Sequence, residues 1–492
     1  MSQGNSSVWR KGLVITAAAG GVMLLSKLPR VLTGFALKRA SKRLLQDPYR
    51  ENLWAMVSSL DRMGPQVALE NSLRAQTGKA IKRPLGSPRK TITFDGLIFN
   101  IAQLANRPIH HRQMVDTSVV IGPQAARPLH LDIPLIVSGM AYGLGLSKRA
   151  KLALAKGASL AGTATNSGES GFALWEREAA RHYIVQYGRG AWPQGLSWCK
   201  QADMIEIQLG QGASAGTEHF TLYKDLPPNA RQSFGLAKGE PALITTEFEG
   251  IQLPEGLQGL VRQLREASDG APIGVKIGAG NDLEADMAIA AEAGVDYIAL
   301  DCAQAATVGS EPILQDAFGL PTLIALCRGA AFIEREGLKG KVSLIISGGL
   351  FHPEHFLKAL ALGADAIYLG TVCLLAIVHP QIQTAIPWEP PTSLAYAIGE
   401  YQHKLNIDKG AQALARFFQS SVAEMIVGAR ALGRASFKEL SKSDLAALDG
   451  RTARLTGVPL VRGPMVAGRS STPSSVQGGR RPGSHWPSDP RY

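Results

Sequence analysis

The stretch LIISGGLFHPEHFLKALALGADAIYLGT, Leu344 to Thr371, contains two apolar runs, each closed by a turn nearly bare of side chains. Ser347-Gly348-Gly349 follows the first run and Gly370-Thr371 the second. Between them PEHFLKALALGA has helical periodicity and stops at Gly363, a residue suited to a helix C-terminus. The segment is therefore strand, turn, helix, strand, turn. Glycine lets a ligand come close to backbone N–H groups, and the usual ligand at a strand-to-helix turn is a phosphate.

The same alternation extends toward the N-terminus. Short apolar runs occur at Pro134–Ser138, Leu160–Ala164, Tyr183–Gln186, Met204–Leu209, Ile273–Ile277, Tyr297–Leu300, Ser343–Ile346 and Ala366–Leu369, with helical segments such as LSKRAKLALAKGA and DLEADMAIAAEAGV between several of them. Alternating strands and helices imply parallel strands, and eight such units predict an α/β fold, a (β/α)8 TIM barrel. A doubly wound sheet would need GxGxxG after its first strand, and VSGMAYGLGLSK is not that pattern. In a barrel the chemistry gathers at the C-terminal strand ends, and phosphate sites recur after the seventh and eighth strands. Those are the two glycine turns.

The other strand ends supply polar groups. They are SGMAYG (Ser138 to Gly143), ATNSGESG (Ala164 to Gly171), Gln186, EIQLGQGAS (Glu206 to Ser214), Lys276 in GVKIG, and Asp301. A lysine within an apolar strand either meets an anion or an electron-rich ring, because burying an unpaired ammonium is strongly unfavourable, or snorkels to solvent from the strand end.

The chain has 492 residues, 45% hydrophobic and 19% charged, enough for a large core. Its net charge of +12 resides largely at the ends, at Arg10, Lys11, Lys27, Arg30, Lys38, Arg39, Lys42 and Arg43, and at Arg469, Arg480, Arg481 and Arg491. The middle is ordinary, so nucleic acid is not an expected partner. Four scattered cysteines form no CxxC pair, and no metal is expected. The expected domains are a basic, apolar segment over 1–50, a cap over 51–130, the barrel over 131–380, a helical extension over 381–462, and a disordered Gly/Pro/Ser/Arg-rich tail over 463–492. The apolar run from Leu13 to Leu25 is short for a membrane span of about 20 residues. Its basic flanks fit either a helix that contacts a membrane surface through residues 10–43 or a helix that packs on the protein itself, in an otherwise cytoplasmic protein.

The run PLIVSGMAYGLGLSKRAKLALAKGASLAGTATNSGESG, followed by IVQYGRG, QADMIEIQLGQGAS, GVKIG, SLIISGG and GADAIYLGT, resembles the stand-alone FMN-binding glutamate synthase-like family, which corresponds to the synthase domain of glutamate synthase. The resemblance covers about Ile133 to Ala376. It implies FMN, with the isoalloxazine over Ser138, Gly139 and Met140 through Tyr142, near Gln186, Gln208 and Lys276, and with the phosphate at Ser347, Gly348, Gly349, Gly370 and Thr371. It also implies that Glu169, matching the glutamate of the family's NTGEGG, helps bind or sense 2-oxoglutarate, with Lys276 and Gln211 as the other catalytic candidates. The implied activity is an FMN-dependent oxidoreductase acting on CH–NH2 donors, reducing an imino acid such as 2-iminoglutarate made from an oxo-acid and ammonia.

The sequence also departs from the family. The chain opens Met1-Ser2 rather than on a cysteine nucleophile, so no glutaminase activity is expected. Only Cys373 follows the eighth strand, so no iron-sulfur cluster is expected and the electrons would come from an external donor. Ser214 stands where the family has a lysine, and DCAQAATVGSEP (Asp301 to Pro312) replaces a glycine-rich loop. A non-enzymatic or electron-relay flavoprotein is the alternative that these changes leave open.

Overall fold

The computed structural model of the chain describes residues 32–461, apart from 44, 47, 49–53, 193–194, 213, 215, 306–309 and 387–389. The apolar run Leu13–Leu25 and the tail 463–492 lie outside the described residues. The chain divides into two compact units, Met1–Ile81 and Lys82–Tyr492. The first contains helices Trp54–Met63 and Pro65–Thr77; Pro65 occupies the first turn of the second helix, and Gly78, at φ +62°, ends it. Among the described residues no helix is long and apolar enough to cross a membrane.

The second unit is a (β/α)8 barrel. Its strands are β1 (Leu135–Val137), β2 (Ala164–Asn166), β3 (His182–Tyr187), β4 (Met204–Gln208), β5 (Ile273–Gly278), β6 (Tyr297–Asp301), β7 (Ser343–Ser347) and β8 (Ala366–Leu369). They are hydrogen-bonded in the order β1-β8-β7-β6-β5-β4-β3-β2, every pair parallel. The ring closes between β1 and β2, where Thr163 Oγ1 donates to the Leu135 carbonyl at 2.6 Å and Asp132 N–H donates to the Gly162 carbonyl at 2.9 Å.

The expected second strand is displaced. Leu160 is the last residue of helix α1 (Lys148–Leu160), and β2 begins only at Ala164. The apolar run straddles a helix end and a turn through Gly162 at φ +70°, so its composition alone did not place the boundary.

Alternation along the strands produces a graded interior. Met204, Tyr297, Ile345 and Ala366 form an apolar cluster that also contains Val119, Ile121, Leu129 and Leu131. The last four come from a hairpin, Val119–Ile121 paired with Leu129–Leu131, whose Gly122 N–H donates to Ser343 Oγ at the start of β7. The hairpin thus plugs the N-terminal end of the barrel. Toward the C-terminal ends the inward positions become Glu206 and Gln208 on β4, Lys276 on β5 and Asp301 on β6, all buried. Register sets Lys276 opposite Gln208, and Asp301 opposite Gly278 and Ser347.

Outside the barrel, α1 packs along the helix Ile407–Ala431. Small residues permit the close approach: a Cβ added to Gly157 would lie 2.9 Å from the Ala411 carbonyl oxygen, and one added to Gly410 would lie 3.3 Å from Ala153 Cβ.

Candidate active site

Below the mouth of the barrel lies a polar floor. The Glu206 carboxylate is fully buried and accepts from Asn166 Nδ2 (3.0 Å), Gln186 Nε2 (2.7 Å) and Tyr368 OH (2.6 Å). Three donors from three strands satisfy a charge that would otherwise be very unfavourable there. Gln186 is thereby committed to the floor. Gly139 at the end of β1 must be small because Gln186 Nε2 would lie 2.6 Å from a Cβ there.

On this floor stand the charged groups. Lys276 Nζ is 3.5 Å from Asp301 Oδ2, and both side chains are buried. Burial opposes the ammonium's charge, but Asp301, Glu206 and Glu169 outweigh it and hold its pKa above the ordinary lysine value. Asp301 Oδ2 also accepts from Gly212 N–H at 3.2 Å, which ties the loop after β4 to the end of β6.

Glu169, in the loop after β2, points toward the same group of residues. Its Oε2 receives the amides of Gln208 (3.4 Å) and Gln211 (3.5 Å), and its Oε1 lies 3.4 Å from His219 Nε2. Burial pushes its pKa up, yet His219, Arg189 and Lys276 outweigh burial and leave it below the usual carboxylate value. For His219 burial works against the charge, and Glu169 more than compensates, so the imidazole's pKa is raised. The structure therefore brings together four of the residues singled out from sequence: Glu169, Gln208, Gln211 and Lys276.

Around the two glycine turns the backbone is open to a ligand. Within the described chain no group accepts from the N–H of Gly348, Gly349, Gly370 or Thr371. A Cβ on Gly370 would meet nothing within 4 Å, whereas one on Gly349 would lie 2.7 Å from Gln304 Cβ and one on Gly348 would lie 2.9 Å from Thr322 Oγ1. Gly348 and Gly349 thus admit the loop after β6, and Gly370 faces empty space at the start of the helix Thr371–Val378. On the other flank Ser138 N–H donates to the Leu369 carbonyl at 3.0 Å, linking β1 to β8, and Met140 is partly buried against the core. Ser347 is buried, and its carbonyl accepts from Cys302 N–H.

Three residues of the site were given no role from sequence. Glu206 had the same signal as Lys276, a charge inside an apolar strand. Arg189, buried after β3, donates to the carbonyls of Gly216 (2.7 Å) and Thr246 (3.3 Å) and had no comparable signal. His219 arrives on a hairpin, His219–Thr221 paired antiparallel with Ala242–Ile244, inserted between β4 and β5. Elsewhere Asp95, Glu354 and His355 come together as a metal site would require, but Lys358 Nζ already lies 3.1 Å from Glu354 and His355 Nε2 lies 2.9 Å from Asp95. The four cysteines are buried free thiols.

The family pattern described as the conserved region in glutamate synthase matches residues 101–434. The glutamate synthase large subunit-like protein of Rhizobium meliloti (strain 1021) is 31% identical over 405 residues, 78% of this chain and 91% of that protein. The archaeal-type glutamate synthase [NADPH] of Thermotoga sp. (strain RQ2) is 27% identical over 374 residues, 72% of this chain and 74% of that protein. Among solved structures, the recombinant flavin-binding domain of baker's yeast flavocytochrome b2 aligns with 83% of this chain and 93% of its own at 17% identity, with a TM-score of 0.47. The matched region spans all eight strands and every strand-end residue described above, and the chain belongs to the glutamate synthase family.

Proposed function

We propose that the protein is an FMN-dependent oxidoreductase that reduces an imino acid, such as 2-iminoglutarate formed from an oxo-acid and ammonia. Family membership supports the reaction class. The observation that carries the cofactor is the cradle at the two glycine turns: unpaired N–H groups at Gly348, Gly349, Gly370 and Thr371, with open space over Gly370, suit a phosphate. A second observation agrees with it. Gln208 Oε1 is buried without a hydrogen-bond partner, as expected of a group that serves a ligand.

In this reading Gly348, Gly349, Gly370 and Thr371 hold the phosphate, and Ser138, Gly139, Met140, Gln208 and Lys276 border the ring. A bound flavin supplies the hydride. The protein's own residues do the rest. Lys276, kept protonated by Asp301 and Glu206, stabilises negative charge at the mouth. Glu169, kept ionised by His219, Arg189 and Lys276, accepts a hydrogen bond from the imine N–H. Gln208 and Gln211 hold that carboxylate in place. Ser214 cannot offer the charge that a lysine would give a distal carboxylate, so we expect weaker selection for 2-oxoglutarate over other oxo-acids.

The test is anaerobic. Purified protein, loaded with FMN and chemically reduced, is mixed with ammonium and a series of oxo-acids while flavin absorbance is followed. Reoxidation that requires both ammonium and an oxo-acid, with amino acid formed in equal amount, is the expected result. A stable reduced flavin with every oxo-acid would overturn the imine reading and favour an electron relay.

A further inference from the structure

We propose that His219 is the proton entry of this site, passing protons from solvent to Glu169 and through it to the substrate nitrogen. The inference rests on the imine-reduction reading above and adds to it a residue carried by an inserted hairpin rather than by a barrel strand. Arg189 holds that hairpin over the mouth through the Gly216 and Thr246 carbonyls, and Thr245 N–H and Ala191 N–H complete the seam by donating to Arg189 O and Leu243 O. The hairpin so held places His219 Nε2 3.4 Å from Glu169 Oε1. The His219 side chain is 37% exposed and that of Glu169 only 11%, so the imidazole spans from water to a carboxylate that water scarcely reaches.

The other described groups facing Glu169 cannot do this. Gln208 and Gln211 present amides, which do not exchange charge near neutral pH. Arg189 stays charged, and Lys276 is buried between Asp301, Glu206 and Glu169. Besides Glu169, His219 faces Arg189, and the neighbouring Glu218 is exposed. Histidine is the side chain that gains and loses a proton near neutrality.

The hydride from the reduced flavin, with its two electrons, bonds to the imine carbon, and the C=N π pair withdraws to nitrogen. Nitrogen takes a proton through the Glu169 carboxylate, which accepts one from the His219 imidazolium in the same step and so is ionised before and after, and His219 regains its proton from water. The products are the amine and oxidised flavin. His219 acts through Glu169 and is a positioning and relay residue.

Two measurements test it. In flavin-free protein with labelled histidine, NMR titration should show His219 titrating above the ordinary value of about 6.5. Glu169→Gln should return it toward that value. In FMN-loaded, reduced protein given 2-oxoglutarate and ammonium below pH 9, wild-type reoxidation should slow as pH rises through the His219 pKa. His219→Gln should be at least about tenfold slower at neutral pH, should lose that inflection, and should be partly rescued by free imidazole. A His219→Gln protein with the wild-type rate and pH profile, or a His219 titration indifferent to Glu169→Gln, would overturn the relay. A wild type that binds flavin but never turns over sinks the imine reading itself, and the nitrogen as proton acceptor with it.

Discussion

Lys151 Nζ lies 2.9 Å from Glu176 Oε1, and each side chain is 1% exposed. The same ammonium donates to the carbonyls of Asn166 (2.7 Å) and Ser167 (3.2 Å), and the other carboxylate oxygen of Glu176 accepts from Tyr183 OH at 3.0 Å. A buried pair outside the barrel thus grips the end of β2 from behind, three residues before Glu169. Removing one partner leaves the other charge uncompensated. Lys151→Met should lose about 3–5 kcal/mol of stability in denaturant unfolding, and Lys151→Met with Glu176→Gln should recover a large part of it. A single variant as stable as wild type would show that the pair is not held as described.

Lys276 makes a related prediction at the mouth. Lys276→Met removes the ammonium that lies 3.5 Å from the buried Asp301 carboxylate, so it should be destabilised by about 3 kcal/mol, with Lys276→Met/Asp301→Asn less so. With FMN bound, the single variant should also have a lower flavin midpoint potential. At an effective dielectric of about 20 and about 4 Å, one charge is worth roughly 4 kcal/mol before screening, so even a fraction of it is measurable by redox titration. An unchanged potential with flavin retained would place Lys276 away from the ring.

The Glu169–His219 contact sets a pH window. Glu169 has a lowered pKa, so its contribution is present above the ordinary carboxylate range and is lost as pH falls through its folded pKa. His219 has a raised pKa, so its contribution is present below the ordinary histidine value and is lost as pH rises through its folded pKa. The hairpin over the mouth should therefore be held most tightly between the two. Amide hydrogen exchange at residues 219–221, corrected for intrinsic pH dependence, should be slowest there and faster on both sides. A protection profile flat across both limits would contradict the pairing.

What the sequence showed of this architecture follows from where the physics is local. The turns after β7 and β8 were legible because glycine at a strand end is a local constraint, and Lys276 because a charge in an apolar run is conspicuous. Glu206 gave the same signal, but its meaning depends on Asn166, Gln186 and Tyr368 converging from three other strands. The boundary of β2 was misplaced because the last turn of α1 is as apolar as a buried strand. His219 was invisible for a different reason. It is 50 positions from Glu169 in sequence, and only the antiparallel pairing of His219–Thr221 with Ala242–Ile244, pinned by Arg189, folds it back across the mouth. The Gly348-Gly349 turn has a second explanation beyond a ligand: Gln304 and Thr322 pack against it.

That packing makes Gly370 the discriminating position. A side chain at Gly348 or Gly349 would collide with the protein's own loop at φ +122° or +64°, whereas at Gly370, with φ −106°, it would enter only the space assigned to phosphate. The decisive measurement is calorimetric titration of FMN into flavin-free wild type and Gly370→Val, with riboflavin as the phosphate-free control. The account predicts that wild type binds FMN much more tightly than riboflavin, and that Gly370→Val loses at least about a hundredfold in FMN affinity while its thermal unfolding stays within a few degrees of wild type. FMN bound equally well by both proteins, or by neither, would contradict it.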